Sequence, residues 1–292
     1  MEKSQRMRSI FRTLQFINRH PLASHARTTA LGHWVRWQLG ARLLQRPVLM
    51  PFVGDAVLVV ELGMFGATGN IYCGLHEFAD MSLALHFLRP GDRFLDVGAN
   101  VGTYSVLASK VAGADVTAIE PVPATFARLK RNVNVNEIGN RVNLHMAAVG
   151  AQEGSLEFSI DQDTTNHVVG RDYPGKSIHV PVVTIDGVLQ HHRAIMWKVD
   201  VEGFEREVLM GAVDSLADPG LQIVILEGDD LVIAEMMKGG GFSRFIYEPF
   251  QRAFRACGAK EAVNNHLWIR DLAQVQARCQ MAPVYSVLGV KF

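Results

Sequence analysis

Residues 94–104 read FLDVGANVGTY, a short apolar run that ends in an acid and then passes through two glycines. This pattern predicts a buried strand over Arg93–Val97 that turns directly into a helix over Thr103–Ala112. Gly98 permits a tight turn, and Gly102 lets the helix approach the strand without an intervening side chain. We therefore expect a small molecule to lie against the backbone of this turn.

Strands and helices alternate along most of the remaining chain. The predicted strands are Asp115–Ile119, Val142–Val149, 155–160, 178–185, Ala194–Val199, Leu221–Leu226, 242–247 and 266–270, and the predicted helices are Glu77–Leu88, Ala124–Asn134, Phe204–Leu216 and 230–238. This alternation indicates an α/β fold with a mostly parallel sheet and helices on both faces. Such sheets bind ligands at the carboxyl ends of their strands, so candidate functional residues should lie there.

The start of the chain differs from the rest in charge. Residues 1–46 hold nine Lys/Arg and one acid, whereas the whole chain has no net charge. Apolar residues recur at helical spacing among these charges, namely Met7, Ile10, Phe11, Leu14 and Ile17, followed by Leu31, Trp34, Val35 and Trp37. Two interpretations stay open: the stripe packs on its own domain or on a second subunit, or it lies on an anionic membrane surface.

We divide the chain into a basic helical arm (1–50) and one α/β domain (51–292). Within the domain we expect a small β extension over 51–76 and the core over 77–272. The extension should contain two strands around a glycine-rich turn, Ala56–Leu62 and Asn70–Leu75.

Composition narrows the classes of protein further. The chain has 292 residues, of which 48% are hydrophobic and 20% charged, and the three cysteines form neither a zinc pattern nor a disulfide framework. With no long apolar run and no signal-peptide pattern, we expect a cytoplasmic protein, with peripheral contact between the arm and the inner membrane face as a hypothesis. The acidic domain argues against nucleic acid as a partner, and a homo-oligomer stays open.

The acid in the turn distinguishes between two kinds of nucleotide ligand. A dinucleotide loop needs three glycines facing a pyrophosphate, but here Asn100 occupies the middle position and Tyr104 stands near the last. Asp96 would repel a pyrophosphate, and it suits a ligand with an amino group and a sulfonium. Glu120 ends the next predicted strand, where a carboxylate can accept hydrogen bonds from ribose hydroxyls. These features favour S-adenosylmethionine over NAD.

The chain resembles the FkbM-type methyltransferases over about residues 75–270. The resemblance rests on Pro90-Gly91-Asp92, DVGANVGTYS at 96–105, Glu120-Pro121, Thr184-Ile185-Asp186, KVDVEGFE at 198–205, VLMGA at 208–212, and Asn265 ahead of Leu267-Trp268-Ile269. It implies a Rossmann-like class I methyltransferase fold, with seven strands of which the last is antiparallel. It also implies O-methylation of a hydroxyl on a sugar, a glycan precursor or a secondary metabolite. Residues 1–50 lie outside the resemblance.

The expected cofactor site combines the turn with the two following strand ends. We predict that S-adenosylmethionine contacts Asp96, Gly98, Ala99, Asn100, Gly102, Thr103, Tyr104, Glu120, Pro121 and Ala147.

Candidate catalytic residues follow the Ala194–Val199 strand. Lys198 and Asp200 should share one face of that strand, and Glu202 follows in the turn before the next helix. A sugar hydroxyl is a weak nucleophile, so a general base should assist it. We predict Asp200 as the base or orienting carboxylate, Glu202 as the second candidate, and Lys198 as the residue that holds their geometry. A Lys198–Glu202 ion pair that merely fixes the turn is the alternative.

The acceptor pocket should be formed by the arm and by the polar loop Asp161–Lys176. His167 in that loop and Glu227 at the end of Leu221–Leu226 are the predicted substrate contacts. Asp200, Glu202 and Asp229 lack tight metal-ligand spacing, so no metal is predicted. An NAD-dependent oxidoreductase and a non-catalytic cofactor-binding scaffold remain the alternative functions.

Overall fold

The computed structural model describes residues 2–61, 64–160, 167–168, 173–190, 192–228, 230–258, 261 and 263–292. The helices are α1 (Glu2–Arg19), α2 (Arg27–Leu44), α3 (Phe65–Cys73), α4 (Phe78–Phe87), α5 (Thr103–Val106), α6 (Pro123–Val135), α7 (Ile185–Leu189), α8 (Glu205–Met210), α9 (Val213–Ala217), α10 (Leu231–Gly239) and α11 (Leu272–Gln280), with a 3-10 turn at Ala23–His25 and a π-helical turn at Leu107–Val111 that continues α5. The strands are β1 (Val48–Pro51), β2 (Val57–Val60), β3 (Arg93–Val97), β4 (Asp115–Ile119), β5 (Val142–His145), β6 (Ala148–Val149), β7 (Gly154–Ser159), β8 (Ser177–Val183), β9 (Met196–Val199), β10 (Ile223–Leu226), β11 (Ser243–Glu248), β12 (Ala253–Ala256), β13 (His266–Ile269), β14 (Ser286–Val287) and β15 (Val290–Lys291).

The main sheet has the strand order β12-β11-β13-β10-β9-β3-β4-β5. The five strands from β10 to β5 are parallel, and β13 runs antiparallel to both of its neighbours. This is the predicted Rossmann-like class I methyltransferase fold. Within the described part of the chain the sheet has an eighth strand, because β12 adds to the edge beside β11.

The order of the strands reverses at the centre of the sheet. From β3 the chain proceeds outward through β4 and β5, then returns to β9 on the other side of β3. Asp96 of β3 is in register with Lys198 of β9. Ligands bind at such a switch point, so the topology brings the two predicted signatures to one place.

Helices cover both faces of this sheet. Successive residues of a strand point to opposite faces, and accordingly Phe94 and Met196 pack in one core cluster whereas Leu95 and Trp197 pack in the other. The first cluster includes α4, α6 and the arm, and the second includes α7, α8 and α10. All four residues of β9 and of β10 are buried, as expected for strands covered on both sides.

The predicted strand over Asn70–Leu75 is wrong, because these residues belong mostly to α3. Most of this helix is buried, so no polar face revealed its period. Gly69, which the glycine pattern assigns to a hairpin turn, packs instead against His76, since a Cβ there would lie 2.1 Å from Nδ1 of His76. The β1–β2 hairpin lies at the start of this region, and only its second strand was predicted, because β1 falls mostly within the residues assigned to the arm.

Two other predicted elements are interrupted in the structure. The strand Val142–Val149 divides into β5 in the main sheet and β6 in a small sheet with β7 and β8. The helix Phe204–Leu216 divides into α8 and α9 near Gly211, where a Cβ would lie 2.1 Å from the carbonyl oxygen of Gly150. Strands β1, β12, β14 and β15 and helices α7 and α11 were not predicted.

The N-terminal arm shares the core of the α/β domain. Ile17 of α1 is fully buried, and Trp37 of α2 is only 4% exposed. Both belong to the cluster that also contains sheet residues such as Phe94. Among the described residues, no helix combines the length and apolar character needed to cross a bilayer. The separate-arm division of the chain remains a prediction.

Candidate active site

A cavity of about 610 Å³ opens at the carboxyl ends of β3, β4, β9 and β10. Its floor is formed by the turn after β3, by the segment after β4 and by the Asp200 region after β9. Helices α1, α2 and α3 contribute its opposite wall. This volume is in the range of pockets that enclose small organic ligands.

The turn after β3 is built around a backbone contact. Gly98 has φ +73°, and a Cβ at this position would lie 1.9 Å from the carbonyl oxygen of Asp200. The turn can therefore meet the β9 strand end only if residue 98 has no side chain. Asn100 also adopts a positive φ of +51°, a conformation that asparagine tolerates better than most residues. Gly102 packs against Leu129 and does not line the cavity.

Asp96 lies at the base of this turn and is 2% exposed. The hydroxyl of Ser105 donates a hydrogen bond of 2.6 Å to its Oδ2. Burial raises the pKa of Asp96 to about 6, although this hydrogen bond and the positive charge of Lys198 counteract the rise. A buried carboxylate that lines a cavity and has little water around it is suited to a cationic partner.

Glu120 follows β4 and is also buried. The backbone N–H of Asn100 donates a hydrogen bond to Oε2 of Glu120, and the backbone N–H of Val122 donates one to Oε1, both at 3.0 Å. Burial raises the pKa of Glu120 to about 7 against the effect of these two donors. Each oxygen retains a second lone pair, so the carboxylate can still accept from ligand hydroxyls.

Lys198 and Asp200 form an ion pair at the end of β9. The Nζ of Lys198, which is 1% exposed, donates to Oδ2 of Asp200 at 2.9 Å. Burial works to raise the pKa of Asp200, but the charge and hydrogen bond of Lys198 outweigh it and hold the pKa below its usual value. The alternative of a Lys198–Glu202 ion pair is not what the structure contains, because the lysine points to Asp200.

Glu227 completes a group of three acids. One carboxylate oxygen from each of Asp200, Glu202 and Glu227 lies within 4.8 Å of the others. Burial, together with the neighbouring charge of Asp200, raises the pKa of Glu227 to about 8. Its Oε2 is buried and has no hydrogen-bond donor among the described residues. At neutral pH this site therefore pairs an ionised carboxylate with a protonated one.

Glu202 has an unusual backbone and several charged neighbours. Its φ is +50°, in the turn that leads to α8. Burial raises the pKa of Glu202, as does the charge of Asp200, whereas His167 acts in the opposite direction. His167 is thus close enough to influence the acid cluster, although it does not line the cavity itself.

One partly buried network was not predicted from the sequence. Tyr104 Oη donates to Oε2 of Glu77 at 2.9 Å, and Nδ2 of Asn265 donates to Oε1 of Glu77 at 2.6 Å and to Asp80 at 2.7 Å. Glu77 lines the cavity and immediately precedes α4. The sequence marks it only as the first residue of a predicted helix, although Asn265 in the late motif was a signal of the network.

The arm supplies part of the cavity wall. Arg12 and Phe16 of α1 and Gln38 of α2 line it, together with Tyr72 of α3. Nε2 of Gln38 donates to Oη of Tyr72 at 3.2 Å, which connects the arm with α3. The arm therefore lines the cavity, and its part in an acceptor pocket stays a prediction.

The structure brings most predicted site residues together. The predicted residues that line the cavity are Asp96, Gly98, Ala99, Asn100, Thr103, Tyr104, Glu120, Pro121, Ala147, Lys198, Asp200, Glu202 and Glu227. Asp229 and most of the loop Asp161–Lys176 lie outside the described residues. The absence of a metal stays a prediction, since Asp200, Glu202 and Glu227 are close enough to share an ion.

The chemistry of the cavity fits S-adenosylmethionine. Asp96 offers an anionic partner for an amino group, and Glu120 offers acceptors for a ribose. Gly98 lines the same cavity as these two acids. A sheet of this order with these two acids on one cavity defines a class I methyltransferase.

Comparison with known proteins identifies the family within that class. The protein-family model described as the methyltransferase FkbM domain matches residues 96–245 of the sequence, just over half of the chain. The chain therefore belongs to the FkbM methyltransferase family, and its cofactor is S-adenosylmethionine. This membership overturns the alternative of an NAD-dependent oxidoreductase.

Individual relatives are more distant. The chain is 28% identical over 199 residues to the 31-O-demethyl-FK506 methyltransferase FkbM of Streptomyces tacrolimicus, covering 53% of this chain and 74% of that protein. It is 30% identical over 147 residues to the hexuronic acid methyltransferase AglP of Haloferax volcanii, covering 49% of this chain and 59% of that protein. A crystal structure of an FkbM methyltransferase from Methylobacillus flagellatus superposes with a TM-score of 0.43 at 14% identity. The superposition covers 80% of this chain and 59% of that one. The chain thus spans less than two thirds of the length of the last two.

Proposed function

We propose that the protein is an O-methyltransferase that methylates a hydroxyl group of a sugar-containing or secondary-metabolite acceptor. The observation that carries this proposal is the Asp200–Glu202–Glu227 cluster, which shares one cavity with the turn at Asp96. A hydroxyl acceptor needs a group that takes its proton, and this cluster offers one. When bound, S-adenosylmethionine supplies an electrophilic methyl group.

The cofactor would be held by the first two strand ends. Asp96 would bind the amino group, and Glu120 would accept hydrogen bonds from the ribose hydroxyls. Ala99, Pro121 and Ala147, which were predicted as cofactor contacts, line the same cavity and would pack against the adenine ring of the cofactor. Gly102 supports the turn from behind through its packing against Leu129.

Asp200 and Glu227 would have different roles toward the acceptor hydroxyl. Lys198 keeps Asp200 ionised and fixed, so Asp200 can accept a hydrogen bond from the hydroxyl and orient its oxygen. Glu227, once it is ionised above its raised pKa of about 8, would take the proton of the hydroxyl. Glu202 and His167 would contact the remainder of the acceptor.

The acceptor class is proposed from two relatives. One is named for 31-O-demethyl-FK506 and the other for a hexuronic acid. An oxygen that lacks its methyl group and a sugar acid both offer hydroxyl groups. The polar cavity wall with Arg12, Gln38 and Tyr72 is compatible with a hydroxylated acceptor.

The test is methyl transfer from radiolabelled S-adenosylmethionine to nitrophenyl glycosides, nitrophenyl glycuronides and hydroxylated macrolides, with products mapped by NMR. We expect a methyl ether, and we expect Asp200→Asn, which removes the carboxylate that orients the hydroxyl, to lower kcat about 10²-fold while S-adenosylhomocysteine still binds. Methylation at nitrogen or carbon would contradict the proposal. Cofactor binding without transfer to any of these acceptors would favour the non-catalytic scaffold instead.

A further inference from the structure

Helix α2 carries an apolar stripe on its solvent-facing side. Val35, Leu39 and Leu43 are spaced by four residues and are 44%, 60% and 83% exposed. Leu44, the last residue of α2, and Leu49 beyond it extend the apolar surface, at 57% and 55% exposure. Of the stripe predicted on α1, Ile17 is buried in the core, Leu14 is half-buried and Phe11 is 67% exposed.

Arginines border this stripe. Arg36 and Arg42 lie on α2, Arg46 follows it, and all three are exposed. The sequence contains no acid between Lys3 and Gly54, so no carboxylate of this segment neutralises them. Exposed leucines flanked by unneutralised arginines are typical of a helix that lies in a membrane interface.

The positive charge on this surface of α2 favours an anionic lipid bilayer over a second copy of the chain or a nucleic acid. In a two-fold dimer the same patch meets itself, so Arg36, Arg42 and Arg46 would face a second set of arginines. Nucleic acid would satisfy the arginines but would leave the leucines in contact with phosphate and water. An anionic lipid bilayer satisfies both, since its headgroups attract the arginines and its acyl region accepts the apolar side chains.

We propose that the face of α2 formed by Val35, Arg36, Leu39, Arg42 and Leu43, extended by Leu44, Arg46 and Leu49, docks the protein on anionic membrane surfaces. The opposite side of the helix is anchored to the domain. Trp37 and Ala41 are buried there, and Gln38 lines the cavity. Docking would thus place the cavity wall one helix away from the bilayer, within reach of acceptors carried on lipids.

The first test measures sedimentation of the full chain with vesicles. We use phosphatidylcholine vesicles with and without 30 mol% phosphatidylglycerol, and vary the salt concentration. We expect binding only to the anionic vesicles, weakening as the salt screens the arginines. Equal binding to both vesicle types, or no binding to either, would overturn the proposal.

Matched variants separate this face from the rest of the surface. Leu39→Glu with Leu43→Glu should abolish vesicle binding, whereas Met281→Glu with Val284→Glu, at 76% and 66% exposure, should leave it unchanged. Arg36→Gln with Arg46→Gln should weaken binding roughly 25-fold, at about fivefold per arginine. The control pair Lys130→Gln with Lys291→Gln should have much less effect.

Two further readouts distinguish membrane docking from misfolding of the variants and from self-association. Circular dichroism and S-adenosylhomocysteine binding should be the same in all variants, which shows that they fold. Analytical ultracentrifugation reports whether the face is an interface between copies of this chain. A dimer that Leu39→Glu with Leu43→Glu converts to a monomer, without vesicle binding by the original protein, would contradict membrane docking. Vesicle binding is measured without turnover, so this result is independent of the proposed O-methylation.

Discussion

The carboxyl pair of Asp200 and Glu227 shows how neighbouring residues set each other's protonation. Lys198 stabilises the charge on Asp200, and that charge in turn disfavours ionisation of Glu227. Two carboxyl groups a few ångströms apart therefore reach different states at neutral pH. Their titrations are coupled, so the measured pKa values belong to the pair.

This coupling predicts a pH dependence of methyl transfer. Glu227 can accept a proton only after losing its own, so kcat/KM should rise as the pH rises through about 8 and level off above it. Glu227→Gln should remove this rise and lower the plateau at least tenfold. The exposed Glu235→Gln on α10 serves as the control and should retain the profile. A pH-independent rate in the unmodified protein would refute the assignment of Glu227.

Gly98 allows a second prediction at the level of one residue. Gly98→Ala introduces a Cβ 1.9 Å from the carbonyl oxygen of Asp200 as well as a side chain at φ +73°. Gly91→Ala is the matched control, because its φ is +88° but a Cβ there meets no atom within 4 Å. We expect the control to cost about 1 kcal/mol of unfolding free energy, and Gly98→Ala to cost about 1 to 3 kcal/mol more.

Urea denaturation of both variants measures this difference, and S-adenosylhomocysteine affinity should fall only for Gly98→Ala. Equal stabilities would show that the turn and the β9 strand end can separate without cost.

Single residues of the cofactor turn were predictable because their chemistry is local. An acid, a glycine and an asparagine in order at a strand end specify a turn and its ligand within a few residues. Glu77 was missed because its partners are remote, since Tyr104 and Asn265 reach it from 27 and 188 residues away. Only the fold reveals that such residues meet.

The predicted helix that divides into α8 and α9 shows that contacts between remote residues also limit the prediction of whole elements. The segment Phe204–Leu216 has a helical apolar period, which predicts one continuous helix. At the break, Gly211 packs closely against the backbone of Gly150, a residue in another part of the chain. Likewise, α3 was mistaken for a strand because burial on most sides removed its periodicity, whereas the strands β3 and β4 were predicted at their observed bounds.

The contact at Gly211 supplies a prediction for these elements. Gly211→Ala should push α8 away from Gly150 and lower the unfolding free energy by about 1 to 3 kcal/mol, because a Cβ there would lie 2.1 Å from a backbone oxygen. Gly139→Ala, where a Cβ meets no atom within 4 Å, should change it far less. Thermal unfolding compares the two. A destabilised control beside an unaffected Gly211→Ala would argue against this account of the break.

At the level of the whole molecule, the helices of the arm pack on the α/β domain. Ile17 and Trp37 share a core cluster with the sheet, and Arg12 lines the cavity. The division of the chain at residue 50 stays a prediction. Sequence patterning indicated that the helices exist but could not tell on which surface they lie. The parallel sheet and its site were recognisable because each strand end carries its own signature.

The arm's contribution to the core can be measured directly. Trp37→Ala should lower the unfolding free energy of the whole chain by about 3 kcal/mol or more, since a large buried side chain is removed. Leu43→Ala on the same helix is 83% exposed and should change it by less than about 0.5 kcal/mol. Urea denaturation provides both values. If Trp37→Ala matched the control, the arm would not belong to the cooperative core.

The central claim is that the cavity binds S-adenosylmethionine through Asp96 and Glu120. Calorimetric titration with S-adenosylhomocysteine tests it most directly, using the unmodified protein, Asp96→Ala and Glu120→Gln, with NAD as the control ligand. We predict binding by the unmodified protein, at least tenfold weaker binding by each variant, and no binding of NAD. Undiminished binding by both variants, or binding of NAD in place of the sulfur nucleoside, would contradict the account.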